Sequence, residues 1–423
     1  MSAARMSQLH KLASDWEPEL YAEMQQKPPA KFLPGLRTPC VNTADGMRCV
    51  PGAYLLGNWQ SNPKGLGILT SSHPNITEVG NHRCWAHHTN DKGGRTWLRQ
   101  TPAAGFDPKH HLMAALGCVT ALTFYPGFAG RYHKYWEQSY WPCKAACQSN
   151  RTCWRSYFEP HGQVWPCKAA ALAQHDRAVH LAPTATEGAL DVTPPYLMRA
   201  FYGTNVKLIA TVRNPTDRLR HAFYSHPHYA RKYGKGSAGL LTYAREQTAG
   251  WYACARAFGA KRCAIFFEQL GQEPNDVFFH CDQLLRGLYA PYIADWLAAF
   301  PEGALLLVRT EDLIDQRRLT LQRVWRHLGV PPLDWDAADA GTIHLPARLR
   351  RAEARFPVSY GEWTKAQGPI SPEATETLQA LYAPHNRALR DMLAASGGPS
   401  CGGAAEAQGA PPCDAFLFEQ AMD

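Results

Sequence analysis

Three runs of apolar residues constrain this chain more than anything else in it: Val50 to Leu56, Val206 to Val212 and Ala304 to Val308. None of them alternates apolar with polar residues. A strand with one wet face must alternate, so a run apolar at every position is covered on both faces. Stretches with helical periodicity, Leu284–Phe300, Leu319–Leu328 and Glu373–Ala395, lie between and after these runs. The combination predicts an α/β fold, a central parallel sheet flanked by helices. With 423 residues and 45% hydrophobic content the chain can bury a substantial core. Residues 1–48 read as a polar lead-in and 49–395 as the domain, with an insert at about 86–185. Residues 396–423, carrying Gly-Gly-Pro-Ser-Cys-Gly-Gly and a later Pro-Pro, read as a flexible tail.

The insert is rich in Cys, Trp and His, and Trp141-Pro142-Cys143-Lys144-Ala145-Ala146 recurs within it as Trp165-Pro166-Cys167-Lys168-Ala169-Ala170. Two six-residue copies do not make a solenoid. They read as a local duplication held by disulfides, or as an aromatic surface for a ligand. The chain has 13 cysteines, several in local pairs: Cys40/Cys49, Cys143/Cys147, Cys153/Cys167 and Cys254/Cys263. None of these pairs is a C-x-x-C, and no His follows at zinc-finger spacing, so disulfides in an oxidising lumen rank above structural zinc. Asn75-Ile76-Thr77 and Asn150-Arg151-Thr152 are glycosylation acceptors that agree with a secretory route. Against this, Met1 to Leu20 has no apolar signal core or membrane anchor, and no later segment supplies a span. Either an upstream anchor is missing, or the protein reaches its compartment by another route, or the cysteines are not disulfides. The 44 Lys+Arg against 36 Asp+Glu give +8, which suits an anionic ligand without choosing one.

The most informative string follows the second apolar run: Arg213-Asn214-Pro215-Thr216-Asp217-Arg218-Leu219-Arg220-His221-Ala222-Phe223-Tyr224. A strand here runs through Arg-Asn-Pro into a helix. Pro opens a helix at no cost in hydrogen bonds, and Arg213 at the strand end can fork two bonds onto a phosphate near that helix's positive end.

This string resembles the 3′-phosphate site of the sulfotransferases that use 3′-phosphoadenosine-5′-phosphosulfate (PAPS), of the form Arg-(Asn/Asp)-Pro-x-x-Arg-x-x-Ser-x-Tyr. Arg213, Pro215 and Arg218 match it; the family's Ser falls at His221, and Phe223 precedes Tyr224. Other segments are similar to the carbohydrate branch in the same order. They are Gly287-Leu288-Tyr289 with Trp296-Leu297, Leu305 to Leu313 with Leu321 to Gly329, and Tyr382-x-Pro384-x-Asn386. Cys254 and Cys263 match a pair in the branch similar to N-acetylgalactosamine 4-sulfate 6-O-sulfotransferase, a Golgi enzyme of chondroitin-type chains. Asp191-Val192-Thr193-Pro194-Pro195-Tyr196 stands where relatives line the active cleft. The likeness covers about 49–85 and 187–395 and leaves the insert without a counterpart. It implies a P-loop-like sulfotransferase fold, PAPS as co-substrate, no metal, and a carbohydrate acceptor rather than nucleic acid. It also implies a Golgi or other secretory location.

Two segments depart from the family. Its 5′-phosphosulfate loop, Pro-Lys-x-Gly-Thr-Thr, cradles the anion on backbone N–H groups while the Lys stabilises the leaving oxygen. This chain reads Gly57-Asn58-Trp59-Gln60-Ser61-Asn62-Pro63-Lys64-Gly65-Leu66-Gly67. With the spacing to His73-Pro74 held, Gln60 takes the Lys position. With Pro63-Lys64 matched instead, the Lys is kept and the following helix is a turn shorter. Lys64, with Gly65, is the donor-site candidate in both registers. The family's catalytic Glu falls at His82, whose imidazole can take a hydroxyl proton. Glu78 is the alternative, and a site without its base is the third. Two readings follow. One is a working PAPS-dependent sulfotransferase of the EC 2.8.2 type, with His82 and Lys64 catalytic and Lys64, Gly65, Arg213 and His221 on the donor. The other is an inactive relative that binds a nucleotide or glycan. A kinase on a related sheet fits poorly, since Gly-x-x-x-x-Gly-Lys-(Ser/Thr) is absent.

Overall fold

The computed structural model describes residues 3–79, Leu98, 105–117, 121–123, 193–266, 283–342 and 344–418. Two short strands, β1 (Cys40–Thr43) and β2 (Gly46–Cys49), form an antiparallel ribbon closed by a Cys40–Cys49 disulfide. Five further strands form one sheet: β3 (Ala53–Leu55), β4 (Ile76–Glu78), β5 (Leu112–Ala115), β6 (Lys207–Val212) and β7 (Leu305–Arg309). Their order is β4-β5-β3-β6-β7 and every neighbouring pair is parallel. The helices that position the site are α1 (Ala3–Trp16), α2 (Pro63–Thr70), α3 (Pro194–Tyr202), α4 (Pro215–Ser225), α5 (Gly236–Phe258), α6 (Tyr289–Ala299), α7 (Arg317–His327), α8 (Ala347–Glu353), α9 (Tyr360–Lys365) and α10 (Pro372–Ser396).

The three apolar runs became β3, β6 and β7, and the reason they do not alternate is visible in the packing. Tyr54, Leu208, Ala210, Leu305 and Leu307 point into one core with α1, α3, α6 and α10. Ala53, Leu55, Ile209, Leu306 and Val308 point into a second core against α2 and α7, around Leu66, Leu69, Leu321 and Trp325. Each face is apolar because each is covered. The structure thus has the α/β architecture read from the sequence.

Two terminal segments differ from expectation. The lead-in is no loose arm: Leu9 and Ala13 of α1 and the later Leu20, Tyr21 and Met24 are all buried in the first core. Arg5 lies 4.8 Å from the Tyr196 ring of α3. The segment after Ser396 also folds back on the domain, stapled by a Cys401–Cys413 disulfide, with Phe416 fully buried. Cys263 is disulfide-bonded as well. The repeat-bearing insert, including Cys143, Cys147, Cys153 and Cys167, lies outside the described residues. Among the described residues no helix is long and apolar enough to cross a membrane.

Candidate active site

The chain order of the strands locates a crevice. From β3 the chain moves to β4 and β5 on one side of the sheet, then crosses to β6 and β7 on the other. The direction of winding therefore reverses between β3 and β6, and in open α/β sheets ligands bind outside the strands' carboxyl ends at that point. There the loop of residues 57–62 leaves β3 and the Arg213-Asn214 turn leaves β6.

The loop is held by the strand ends beside it. Leu56 N–H and Asn58 N–H donate to the carbonyls of Ile209 and Thr211, extending the ladder past β3. The Asn58 amide donates to Arg286 O at 2.7 Å and accepts from Thr123 Oγ1 at 2.9 Å. Thr310 Oγ1 lies 2.8 Å from Ser61 O and 3.0 Å from Val212 O, so one hydroxyl ties the loop to the end of β6. Gln60 (φ 63°) and Asn62 (φ 54°) are both left-handed, a conformation non-glycine residues keep only when their surroundings hold them there. Pro63 then opens α2, so Lys64 stands in its first turn. Lys64 is exposed and makes no hydrogen bond or ion pair among the described residues. Gly65 is needed for space: a Cβ there would collide with Asn62 Oδ1 and sit 2.8 Å from Phe356 Cζ.

On the facing side, Asn214 caps α4, its Oδ1 accepting from the N–H groups of Thr216 and Asp217, with Pro215 at the first helical position. The cap fixes the turn that carries Arg213. Tyr289 Oη accepts from Arg213 N–H at 3.2 Å and donates to Arg213 O at 2.6 Å. The Arg213 side chain is fully buried. Its Nε donates to Tyr360 Oη at 3.0 Å, its Nη1 to Gln60 O and His221 Nδ1, each at 3.3 Å, and its Nη2 to Thr364 Oγ1 and Gln367 Oε1 at 3.1 and 2.9 Å. The Trp363 ring covers it at 4.1 Å. Burial first, then the charges of Arg213 and Arg218, lowers the His221 pKa to about 4. Since Arg213 can only donate, the neutral ring accepts at Nδ1 and carries its proton on Nε2, which keeps a donor at the position of the family's Ser.

Arg218 is also fully buried; Nη1 donates to Trp59 O at 3.3 Å and Gln283 Oε1 at 3.2 Å. Its Nε and Nη2 have no hydrogen-bond partner among the described residues. Neither Arg213 nor Arg218 forms a direct salt bridge among those residues, so two buried guanidinium groups meet at the loop with only the more distant charge of Glu311 acting on Arg213. Burying such a charge is costly and leaving its donors unpaired adds to the cost. Arg218→Met is therefore expected to make the ligand-free protein about 1–3 kcal/mol more stable in urea unfolding. The same change should weaken binding of a phosphate-bearing nucleotide. A variant less stable than the parent without ligand would show that Arg218 is a structural residue.

Of the residues expected at the site, the structure brings together Arg213 and His221, with Lys64 and Gly65 across the crevice on the first turn of α2. His82 lies outside the described residues, as do Asp191 and Val192. Glu78, the alternative base, is held by Arg348 at 2.8 Å. The four residues 59–62 separate the last ladder bond of β3 from α2. Sequence reasoning missed Tyr360, Trp363, Thr364 and Gln367, which enclose Arg213 from about 150 positions away; the Ser359 cap that starts α9 was the available local signal.

Arg213 at the end of β6 and Arg218 on α4 thus place two buried guanidinium groups at the switch point of a parallel sheet. Residues 178–339 match the family model "Sulfotransferase domain". The carbohydrate sulfotransferase resemblance read from the sequence is borne out by similarity to carbohydrate sulfotransferase 15. The Homo sapiens protein is 26% identical over 211 residues, 49% of this chain and 34% of that protein. The Nototodarus sloanii protein is 33% identical over 108 residues, 25% of this chain and 61% of that one. The match to the human relative thus spans about a third of its length. Among solved structures, a sulfotransferase from Alicyclobacillus acidocaldarius aligns with 82% of this chain and 96% of its own, at 15% identity and a TM-score of 0.38.

Proposed function

We propose that this protein transfers the sulfuryl group of PAPS to a hydroxyl of a carbohydrate acceptor. The observation that carries the reading is the pair of buried guanidinium groups, Arg213 and Arg218, neither of them in a direct salt bridge among the described residues and with two donors of Arg218 unpaired there. An anion with several oxygens answers both deficits, and a nucleotide with phosphates at both ends of its ribose suits a crevice between a helix N-terminus and a strand-end arginine. In this reading Arg213 and the Nε2–H of His221 hold the 3′-phosphate. The N–H groups of residues 59, 60 and 62 and the first turn of α2, with Gly65 leaving room beside them, hold the 5′ end. Lys64, a free cation on that turn, stabilises charge on the bridging oxygen as sulfate leaves.

PAPS supplies an activated sulfuryl group that needs no metal. What the chain must add is orientation and a base for the acceptor's proton. His82, four residues beyond Glu78 at the end of β4, is the proposed base. The acceptor is proposed to be a polysaccharide of the glycosaminoglycan type, and the place of action the lumen of the secretory pathway, where disulfides such as Cys40–Cys49 and Cys401–Cys413 persist.

The test of the donor site is calorimetry with 3′-phosphoadenosine-5′-phosphate (PAP), the spent donor. Binding to the folded protein is expected; its absence would remove the reading. Lys64→Ala separates binding from chemistry. It is expected to lower the rate of sulfate transfer from PAPS at least tenfold while PAP affinity changes little, because PAP lacks the group that Lys64 serves. A Lys64→Ala protein that transfers sulfate as fast as the parent would exclude this role.

A further inference from the structure

The segment after α10 reaches the donor turn from the far end of the chain. The Cys401–Cys413 disulfide closes a loop, and residues Cys413–Leu417 then form a 3-10 turn. That turn delivers Phe416 and Phe418 to the first core. Asn386 of α10 holds the main chain there, its Nδ2 donating to Leu417 O at 3.0 Å. One residue further on, Phe418 O accepts from Asn214 Nδ2 at 3.1 Å. The Phe418 ring lies 6.1 Å from the Tyr289 ring, and the Arg309 guanidinium 5.8 Å from the Phe418 ring. Phe418 has φ 53°, a left-handed conformation that a phenylalanine keeps only where its contacts fix it.

The chemistry of an amide explains what this contact does. With Oδ1 accepting from Thr216 N–H and Asp217 N–H, the Asn214 side chain must aim Nδ2 the opposite way. Asn214 is buried, so that nitrogen needs an acceptor, and Phe418 O is the one it has. The Asn214 main-chain N–H donates to Glu311 Oε1 at 2.8 Å. The residue directly after Arg213 is therefore fixed by the helix it caps, by Glu311 and by Phe418.

We propose that the disulfide-closed segment 400–418 is a positioning element of the donor site. Through the Phe418 carbonyl and the Asn214 amide it sets the turn from which Arg213 reaches the 3′-phosphate. The inference rests on the donor reading above and adds to it a residue and a segment that touch no donor atom.

A double-mutant cycle on PAP affinity tests it, with thermal unfolding followed alongside. One arm is Asn214→Ser, which keeps an oxygen able to cap α4 and removes the link to Phe418. The other is a chain ending at Gly398, replaced by Cys401→Ser/Cys413→Ser if the shortened chain does not fold. Each change is expected to weaken PAP binding about three- to tenfold, the effect of one buried hydrogen bond, and to raise KM for PAPS while KM for the acceptor is unchanged. The two together are expected to cost no more than the larger single change, because both break the same contact. Variants that lose thermal stability but bind PAP like the parent, or losses that simply multiply, would overturn the proposal. A parent that binds no PAP would instead overturn the donor reading, and this inference with it.

Discussion

Arg213→Ala is expected to lose PAP binding by at least about a hundredfold, with the fold intact by circular dichroism. The five N–H groups of Arg213 meet Tyr360, Gln60, His221, Thr364 and Gln367, so a phosphate has to take two of them over from these neutral partners; each charge-assisted hydrogen bond so formed contributes about 1.5–3 kcal/mol, and the alanine keeps neither. The neighbouring arginines do not stand in the same place: Arg218 binds Trp59 O and Gln283 through Nη1 and keeps only its other donors for an anion, and Arg220 is engaged with Thr364 O and lies 3.8 Å from Asp217. Arg213→Lys should fail nearly as badly, because an ammonium presents no planar fork and cannot span Tyr360, His221 and Gln367 together. A variant that binds PAP within a few fold of the parent would place the donor elsewhere.

Trp325→Ala is expected to lower the free energy of unfolding by about 3–5 kcal/mol, the range for emptying a large aromatic site in a core. Trp325 on α7 is fully buried at the centre of the second core, stacked on Trp335 with ring centroids 6.0 Å apart and packed against His73 at 5.3 Å. Its Nε1 donates to Thr70 O at 3.4 Å, so the same side chain seats the end of α2, whose other end faces the crevice. A loss of this size is a large share of the stability of an ordinary domain. Urea unfolding measures it, and Trp325→Phe should recover part of it. A change below about 1 kcal/mol would mean that the space refills and that this core is not what holds α2.

The part of the architecture that could be read from the sequence is the part whose physics is local. Runs such as Val206 to Val212 announce strands covered on both faces, and Arg213-Asn214-Pro215 carries its own N-cap and helix start. β4 and β5 gave no such signal. They are three and four residues long, and Leu112-Met113-Ala114-Ala115 is composed of helix formers that only the neighbouring strands turn into a strand. Average polarity hid the α1 stripe of Leu9 and Ala13, because a few apolar residues on one face suffice to dock a helix. In the tail, Gly and Pro content suggested freedom while Cys401, Cys413, Phe416 and Phe418 hold it down. The same distinction divides the site. Arg213 and His221 belong to one strand-turn-helix unit and were legible. Tyr360, Thr364 and Gln367 reach Arg213 only through the tertiary fold, which no spacing encodes.

The loop of residues 57–62 bears on turnover. Gln60 presents its carbonyl to Arg213, and the nearest lysine along the chain is Lys64 on α2. Whether this arrangement turns over is decided by one measurement: incubation of the protein with PAPS carrying labelled sulfate and a chondroitin-type polysaccharide, followed by counting label in the polymer. The account predicts label in the polymer that disappears with Arg213→Ala. A folded protein that binds PAP yet labels neither this polymer nor any other carbohydrate supplied would contradict it and leave a sulfotransferase-like protein that binds nucleotide without turnover.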